Sequence, residues 1–188
     1  MVRAISLTTP LTETEVRRLR VDDEVFLTGT IVVMHYPWHF ERALSLARAA
    51  QSPPMNLQNA VILHSPTSYI KRDNEYRIRF IGVTTSAKLN PLTPDIIELF
   101  KIRCIIGKGG IDKATLAAME SYGCVYAAMP GGCSAAFTPS VQAVVREYWP
   151  QPNWADNVLE LSVNRLGPLL IAMDSHGRSL YEDRKKGK

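Results

Sequence analysis

At 188 residues with 46% apolar side chains, the chain is long enough for one domain around a real hydrophobic core. No apolar run approaches the roughly 20 residues that cross a bilayer, and the N-terminus lacks the pattern of a secretory signal, so a cytoplasmic protein without membrane contact is expected. The formal charge of +4 does not point to nucleic acid, because Arg184, Lys185, Lys186 and Lys188 crowd the last five residues; without them 22 basic residues become 18, against 18 acidic.

The tail over residues 184–188 reads as a solvated, disordered extension of a single domain spanning residues 1–183. Within that domain, residues 11–19 fit a short helix, with Thr12 or Thr14 as cap and Glu13 and Glu15 in the first turn. Glu24 to Val33 is a β-branched run broken by Gly29, which predicts a buried strand with a bend or bulge. Residues 39–50 put Phe40, Ala43, Leu44 and Ala47 on one helical stripe, and Pro53 and Pro54 stop it. Residues 60–64 form a short apolar strand; residues 76–83 alternate as another, paired across a polar turn at 71–75. Thr93-Pro94-Asp95 starts a helix running to Phe100, with Thr93 as cap and Pro94 at its first position. A buried strand at 104–106, a helix from Asp112 to near Gly123 and a strand at 125–129 follow. After a Gly-Gly turn comes a helix or irregular segment through 140–145, then strands at 158–163 and 169–173 and a turn at Asp174-Ser175-His176-Gly177. The pattern is α/β.

Three segments carry polar chemistry. Gly107-Lys108-Gly109-Gly110 lies between an apolar strand and a helix, where glycines allow positive φ and let backbone approach a ligand. The helix N-terminus would add N–H donors there, so Lys108 suits a carboxylate or phosphate; a tight turn with an exposed lysine fits the pattern equally. It is not a Walker A loop, since no Ser or Thr follows the lysine. Thr84-Thr85-Ser86 with Lys88 makes either an anion pocket or a hydroxyl-rich turn capping the next helix. His35, Tyr36 and His39 near a strand end offer acid–base groups or, lacking a third partner, a weaker case for metal ligands; a histidine that merely starts a helix fits as well. Cys104, Cys124 and Cys133 form no CxxC pair, which argues against a disulfide framework or a self-contained four-thiolate metal site.

In order and spacing, Gly29-Thr30-Ile31, Thr84-Thr85-Ser86-Ala87, Ile106-Gly107-Lys108-Gly109-Gly110, Ala128 to Gly132 and Ile171-Ala172-Met173-Asp174 resemble the β subunit of the class I iron–sulfur fumarase and L-tartrate dehydratase family. Nearly the whole chain takes part. The resemblance implies a single swivelling β/β/α domain and a two-chain, oligomeric hydro-lyase that reversibly dehydrates a 2-hydroxy dicarboxylate. It also implies a [4Fe-4S] cluster carried by a partner α subunit, whose open iron would act on the leaving hydroxyl. Lys108 matches a substrate-contacting lysine, Thr84 a threonine near the abstracted proton, and Thr85 the same pocket; Tyr36 joins Thr84 and Lys108 as a catalytic candidate. Lys88, Gly109, His35 and His39 are then substrate-binding candidates.

This chain also departs from the family pattern. Val83 and Lys88 stand where the family usually has proline and a substrate-gripping arginine, so the charge stays but the bidentate fork is lost. An Arg-Asp-Ala-Ala-His segment becomes His35-Tyr36-Pro37-Trp38-His39, removing one fixed positive and one negative charge. Near Trp149, Pro152-Asn153-Trp154-Ala155-Asp156 replaces Leu-Gly-Met-x-Glu. These changes imply either a different substrate, with an aromatic or less charged end received by Tyr36 and Trp38, or a non-catalytic paralogue that binds a small carboxylate or a partner chain.

Overall fold

Strand pairing organises the molecule; the computed structural model describes residues 3–73, 75–153 and 156–185. β1 (Ala4–Thr8), β2 (Glu24–Val33), β3 (Val61–Leu63), β6 (Cys104–Gly107) and β7 (Val125–Ala128) run parallel, each to its neighbour. β9 (Val158–Met173) runs antiparallel to β7, to β2 and to β8 (Val141–Tyr148). Because β9 meets both β7 and β2, the strands β2-β3-β6-β7-β9 close into a ring, with β1 and β8 as outer additions. β4 (Thr67–Arg72) and β5 (Glu75–Ile81) form a separate hairpin.

The parallel connections carry α1 (Glu13–Val16), α2 (Pro37–Arg48), α3 (Thr93–Phe100) and α4 (Lys113–Tyr122), and α5 (Leu180–Lys185) follows β9. Alternate residues of the ring strands feed two cores. Val61, Leu63, Cys104, Ile106, Val125 and Ala127 face one, while Val32, Ile62, Ile105 and Tyr126 face the other, which holds Phe40, Leu44, Ile96, Ile97 and Met119 from α2, α3 and α4. Burial on both faces explains why these short strands read as continuous apolar runs. Among the described residues no helix is long and apolar enough to cross a membrane.

Local chemistry sets most boundaries. Thr12 accepts from the Glu15 N–H while the Glu15 carboxylate accepts from the Thr12 N–H, a reciprocal cap that starts the one-turn α1. Gly29 has φ +115° where the β2–β9 register shifts, and a Cβ there would meet Thr9 Oγ1 at 2.4 Å. Gly123 ends α4 in the left-handed region.

Four sequence expectations need correction. Thr93 does not cap α3: Leu92 holds that position, and the Thr93 hydroxyl donates back to the Leu89 carbonyl at 2.8 Å. The segment expected as helical or irregular through 140–145 is a 3-10 turn, Ser134–Ser140, followed by β8. The two final strands are one, continuous through Arg165 at φ 51° and Gly167 at φ 156°. The polar turn between β4 and β5 is shorter than 71–75, since Lys71, Arg72 and Glu75 are paired in the ladder; Asn74 lies outside the described residues. Of the basic tail, Arg184 and Lys185 continue α5, and residues 186–188 lie outside the description.

The β4–β5 hairpin is tied to β8 through one carboxylate. Glu147 accepts from the Tyr69 hydroxyl (2.5 Å), the Lys71 ammonium (2.6 Å), the Tyr76 hydroxyl (2.9 Å) and the Asn157 amide. Burial alone would raise the Glu147 carboxyl, but the donors of Lys71, Tyr69 and Tyr76 outweigh it and hold it at about 2. Its contribution to stability is therefore complete above the ordinary value of 4.5 and is lost as pH falls towards 2. Glu147→Gln is expected to cost about 1–3 kcal/mol at pH 7. Urea titrations should show the gap between variant and parent narrowing at pH 3; a gap that stays constant would contradict the assignment.

Candidate active site at the strand ends

The carboxyl ends of β2, β3, β6 and β7 gather at one rim, where main-chain bonds lace the functional loops together. The His64 N–H donates to the Ile106 carbonyl and the His64 carbonyl accepts from the Thr84 N–H, both at 2.8 Å. Thr85 and Lys108 form an isolated parallel bridge, and the Ser86 N–H donates to the Lys108 carbonyl at 3.2 Å. The two loops that sequence singled out are thus one structure.

The glycines of Gly107-Lys108-Gly109-Gly110 serve separate purposes. Gly109 adopts φ +74° in the turn. Gly107 is needed for close approach, but to protein and not to a ligand: a Cβ there would meet Ser86 Oγ at 2.0 Å and Tyr126 Oη at 2.9 Å. The helix-terminus expectation also needs revision. α4 begins at Lys113, and the Asp112 carboxylate already accepts from the Thr115 N–H at 2.9 Å. The lysine itself is what the loop presents. Its stem rests on the 130–132 turn, so tightly that a Cβ at Gly131 would lie 2.8 Å from Lys108 Cδ and 3.3 Å from Nζ.

Lys108 and Gly109 border a cleft of about 530 Å³ with Met129, Gly131 and Tyr181. Glu24, Leu170 and Ala128 also line it, and their pairing across β2, β9 and β7 is the seam that closes the ring. Among the described residues neither Lys108 nor Lys88 has a carboxylate within 4.0 Å.

Lys88 projects from a 3-10 turn, Ser86–Leu89, that continues the Thr84-Thr85 loop. Its ammonium stands 5.1 Å from the centroid of the Tyr36 ring, and burial holds its pKa below the ordinary lysine value. Tyr36 is half-buried at the start of α2, with Pro37 in the first turn, and it stands close to Asp156. Burial, and then Asp156, push the Tyr36 phenol up. An acid thus returns beside Tyr36 from a distant segment; Trp154 and Ala155 of that segment lie outside the described residues.

The histidines lie deeper. His39 is fully buried, its Nδ1 accepting from the His35 N–H at 3.2 Å and its Nε2 donating to the Asp156 carbonyl at 2.8 Å. Both ring nitrogens are thus engaged by protein, leaving none for the substrate contact expected from sequence. Burial lowers its pKa to about 4, fixing a neutral ring. His35 is 2% exposed, its ring 4.3 Å from that of Tyr36. Thr84 is half-buried and Thr85, Lys88 and Gly109 are exposed.

Sequence reasoning missed His64, Ser86 and Tyr126 as a group. Ser86 Oγ lies 2.9 Å from His64 Nδ1 and 3.0 Å from Tyr126 Oη, directly beneath Gly107. Only the hydroxyl run around Ser86 gave a sequence signal; the three meet because successive parallel strands end side by side. Cys104 and Cys124 are buried, and burial pushes both thiols up, Cys104 to about 12; Cys133 is exposed. Among the described residues no group of three or more His, Cys, Asp or Glu is arranged to hold a metal ion. This donor set does not fit an iron–sulfur cluster.

Burial likewise lowers His64 to about 3, followed by a smaller effect of the Lys88 charge. An unfolded chain takes up these protons near 6.5, the native chain only near 4 for His39 and 3 for His64, so stability falls as pH drops below 6.5. Ring ¹⁵N shifts of both residues are expected to stay constant from pH 5 to pH 8. A midpoint near 6.5 for either would contradict the neutral, buried assignment.

Comparison with known proteins now bears on this geometry. The sequence model described as Fumarase C-terminus matches residues 1–184. A Methanocaldococcus jannaschii protein provisionally named L(+)-tartrate dehydratase subunit beta is 37% identical over 177 residues, covering 94% of this chain and 90% of its own length. The Escherichia coli K12 protein named L(+)-tartrate dehydratase subunit beta is 26% identical, covering 96% and 88%. A Geobacillus stearothermophilus protein provisionally named fumarate hydratase class I is 30% identical over 98% of this chain but only 35% of its own length. With the family model matching residues 1–184 and a relative 37% identical across 94% of its length, the chain belongs to the Fumarase C-terminus family.

Proposed function

We propose that this chain is the β subunit of a two-chain hydro-lyase that reversibly dehydrates a 2-hydroxy dicarboxylate. The observation that carries the reading is the Thr85–Lys108 bridge, which joins a hydroxyl loop to a lysine loop at the rim, with Lys88 and Lys108 both lacking an acidic partner among the described residues. Two ammonium groups suit two carboxylates. Lys108 and Lys88 bind the substrate's ends, Thr85 and the Gly109 turn shape the pocket, and Thr84 stands where a proton is withdrawn. A threonine hydroxyl alone is a weak base. Tyr36, beside Asp156, supplies a second proton-carrying group on the Lys88 side.

Names among the relatives support this reading: several are tartrate dehydratase β subunits, which implies an α partner for them. In this reading the [4Fe-4S] cofactor is carried by the α subunit. The residues named here bind, orient and move protons. A swivelling domain arrangement, an oligomeric assembly and a cytoplasmic setting belong to the same reading. One observation favours the alternative, a non-catalytic paralogue binding a carboxylate or a partner chain: His35 and His39 are buried and His39 is committed to protein contacts.

The test is anaerobic co-expression with a cognate α chain, cluster reconstitution and a hydration assay over a panel of dicarboxylates. Turnover is expected on at least one, and Lys108→Ala should lower kcat/KM by about 10²- to 10³-fold with the circular dichroism spectrum intact. No turnover from a properly assembled complex would favour the paralogue. Full activity from the isolated chain would overturn the shared site.

A further inference from the structure

His64 sits 0% exposed at the end of β3 and is held on three sides. Its N–H reaches Ile106 at the end of β6, its carbonyl receives the Thr84 N–H, and its Nδ1 meets Ser86 Oγ, which also meets Tyr126 Oη from β7. Among the described residues Nε2 has no hydrogen-bond partner. A buried polar ring left half-satisfied costs free energy, so a simple core residue would serve the fold better here. The polar group has a location that matters: the three side chains converge under Gly107, the residue before Lys108, closely enough to forbid any Cβ there. On the other side Ser86 follows Thr84 and Thr85 and donates its N–H to the Lys108 carbonyl.

We infer that His64, Ser86 and Tyr126 form a clamp that sets the spacing between the Thr84-Thr85 loop and the Lys108 loop, making them positioning residues for the reaction. None of the three is assigned contact with substrate. Main-chain bonds, namely the Thr85–Lys108 bridge, the 3.2 Å bond from Ser86 to Lys108 and the 2.9 Å bond from Met129 to Gly107, fix the register of the loops. The side-chain clamp sets how closely they approach, by joining Ser86 beneath Gly107 to His64, just after β3, and to Tyr126 of β7. The kinetic consequence depends on the hydro-lyase reading above; the mechanical one does not. Misplacement by about 1 Å costs on the order of 10²-fold in rate, and the clamp bonds act on that scale.

Two near-isosteric variants, Ser86→Ala and Tyr126→Phe, each delete one hydroxyl without adding bulk. In the full chain, amide hydrogen exchange at residues 84 and 86 is expected to speed up about tenfold or more, with exchange in the centre of β2 unchanged. In the reconstituted α–β complex, kcat should fall about 10- to 100-fold while KM moves less than about threefold. His64→Asn, whose amide can occupy the Nδ1 position, should retain most of the rate, and His64→Gln, whose amide reaches the Nε2 position, should not. Unchanged exchange in both hydroxyl variants would overturn the clamp whatever the kinetics. Faster exchange with kcat within twofold of the parent would overturn its positioning role. If the parent complex turns over no dicarboxylate, the hydro-lyase reading falls, and the exchange data alone decide whether the clamp exists.

Discussion

Because β2, β3, β6 and β7 pair in parallel register their carboxyl ends share one rim, and β9, antiparallel to β2 along Glu24 to Val33 while also meeting β7, closes the sheet on itself. Everything at the candidate site depends on that closure. Short strands of three or four residues, such as β3, β6 and β7, have little stability alone. Held between β2 and β9 they bury both faces, and their last residues project loops into a common space. That is the geometry in which open and closed α/β sheets place their ligands, outside the carboxyl ends of strands.

Elements were legible where local chemistry and tertiary burial agreed. β2 matches the β-branched run at both boundaries, and α4 runs between an Asp112 cap and a Gly123 stop that sequence alone supplies. β8 was missed because its residues alternate weakly, with Gln142, Ala143, Val145 and Arg146 exposed and pairing only through β9. β9 looked like two strands because Asn164, Arg165, Gly167 and Pro168 interrupt its apolar pattern, although the backbone continues through them.

The site divides the same way. Lys108, Thr84 and Thr85 stood out by residue type and neighbours, and the family resemblance gave them roles. The grouping of Ser86 with His64 and Tyr126, and the approach of Asp156 to His39, did not, since these are contacts across 22 to 117 positions of sequence. His39 shows the converse. A histidine near a strand end looks functional until its two nitrogens are found bonded within the protein, one of them to the Asp156 main chain. The lost Arg–Asp pair is also only half the account, because Asp156 restores a carboxylate beside Tyr36 and Lys88 brings a cation to the same ring.

The Tyr36 segment differs from the rest of the rim in how it is attached. His39 anchors it from below, and above it meets the Thr84-Thr85 loop through side chains, with Lys88 over the Tyr36 ring. The lysine and threonine loops, by contrast, share main-chain bonds and a buried cluster of polar groups. Substitution around Tyr36 therefore leaves the contacts between the other two loops undisturbed. Changes around position 36 are thus uncoupled from the spacing of the lysine and threonine loops, and the two sides of the rim can vary independently of one another.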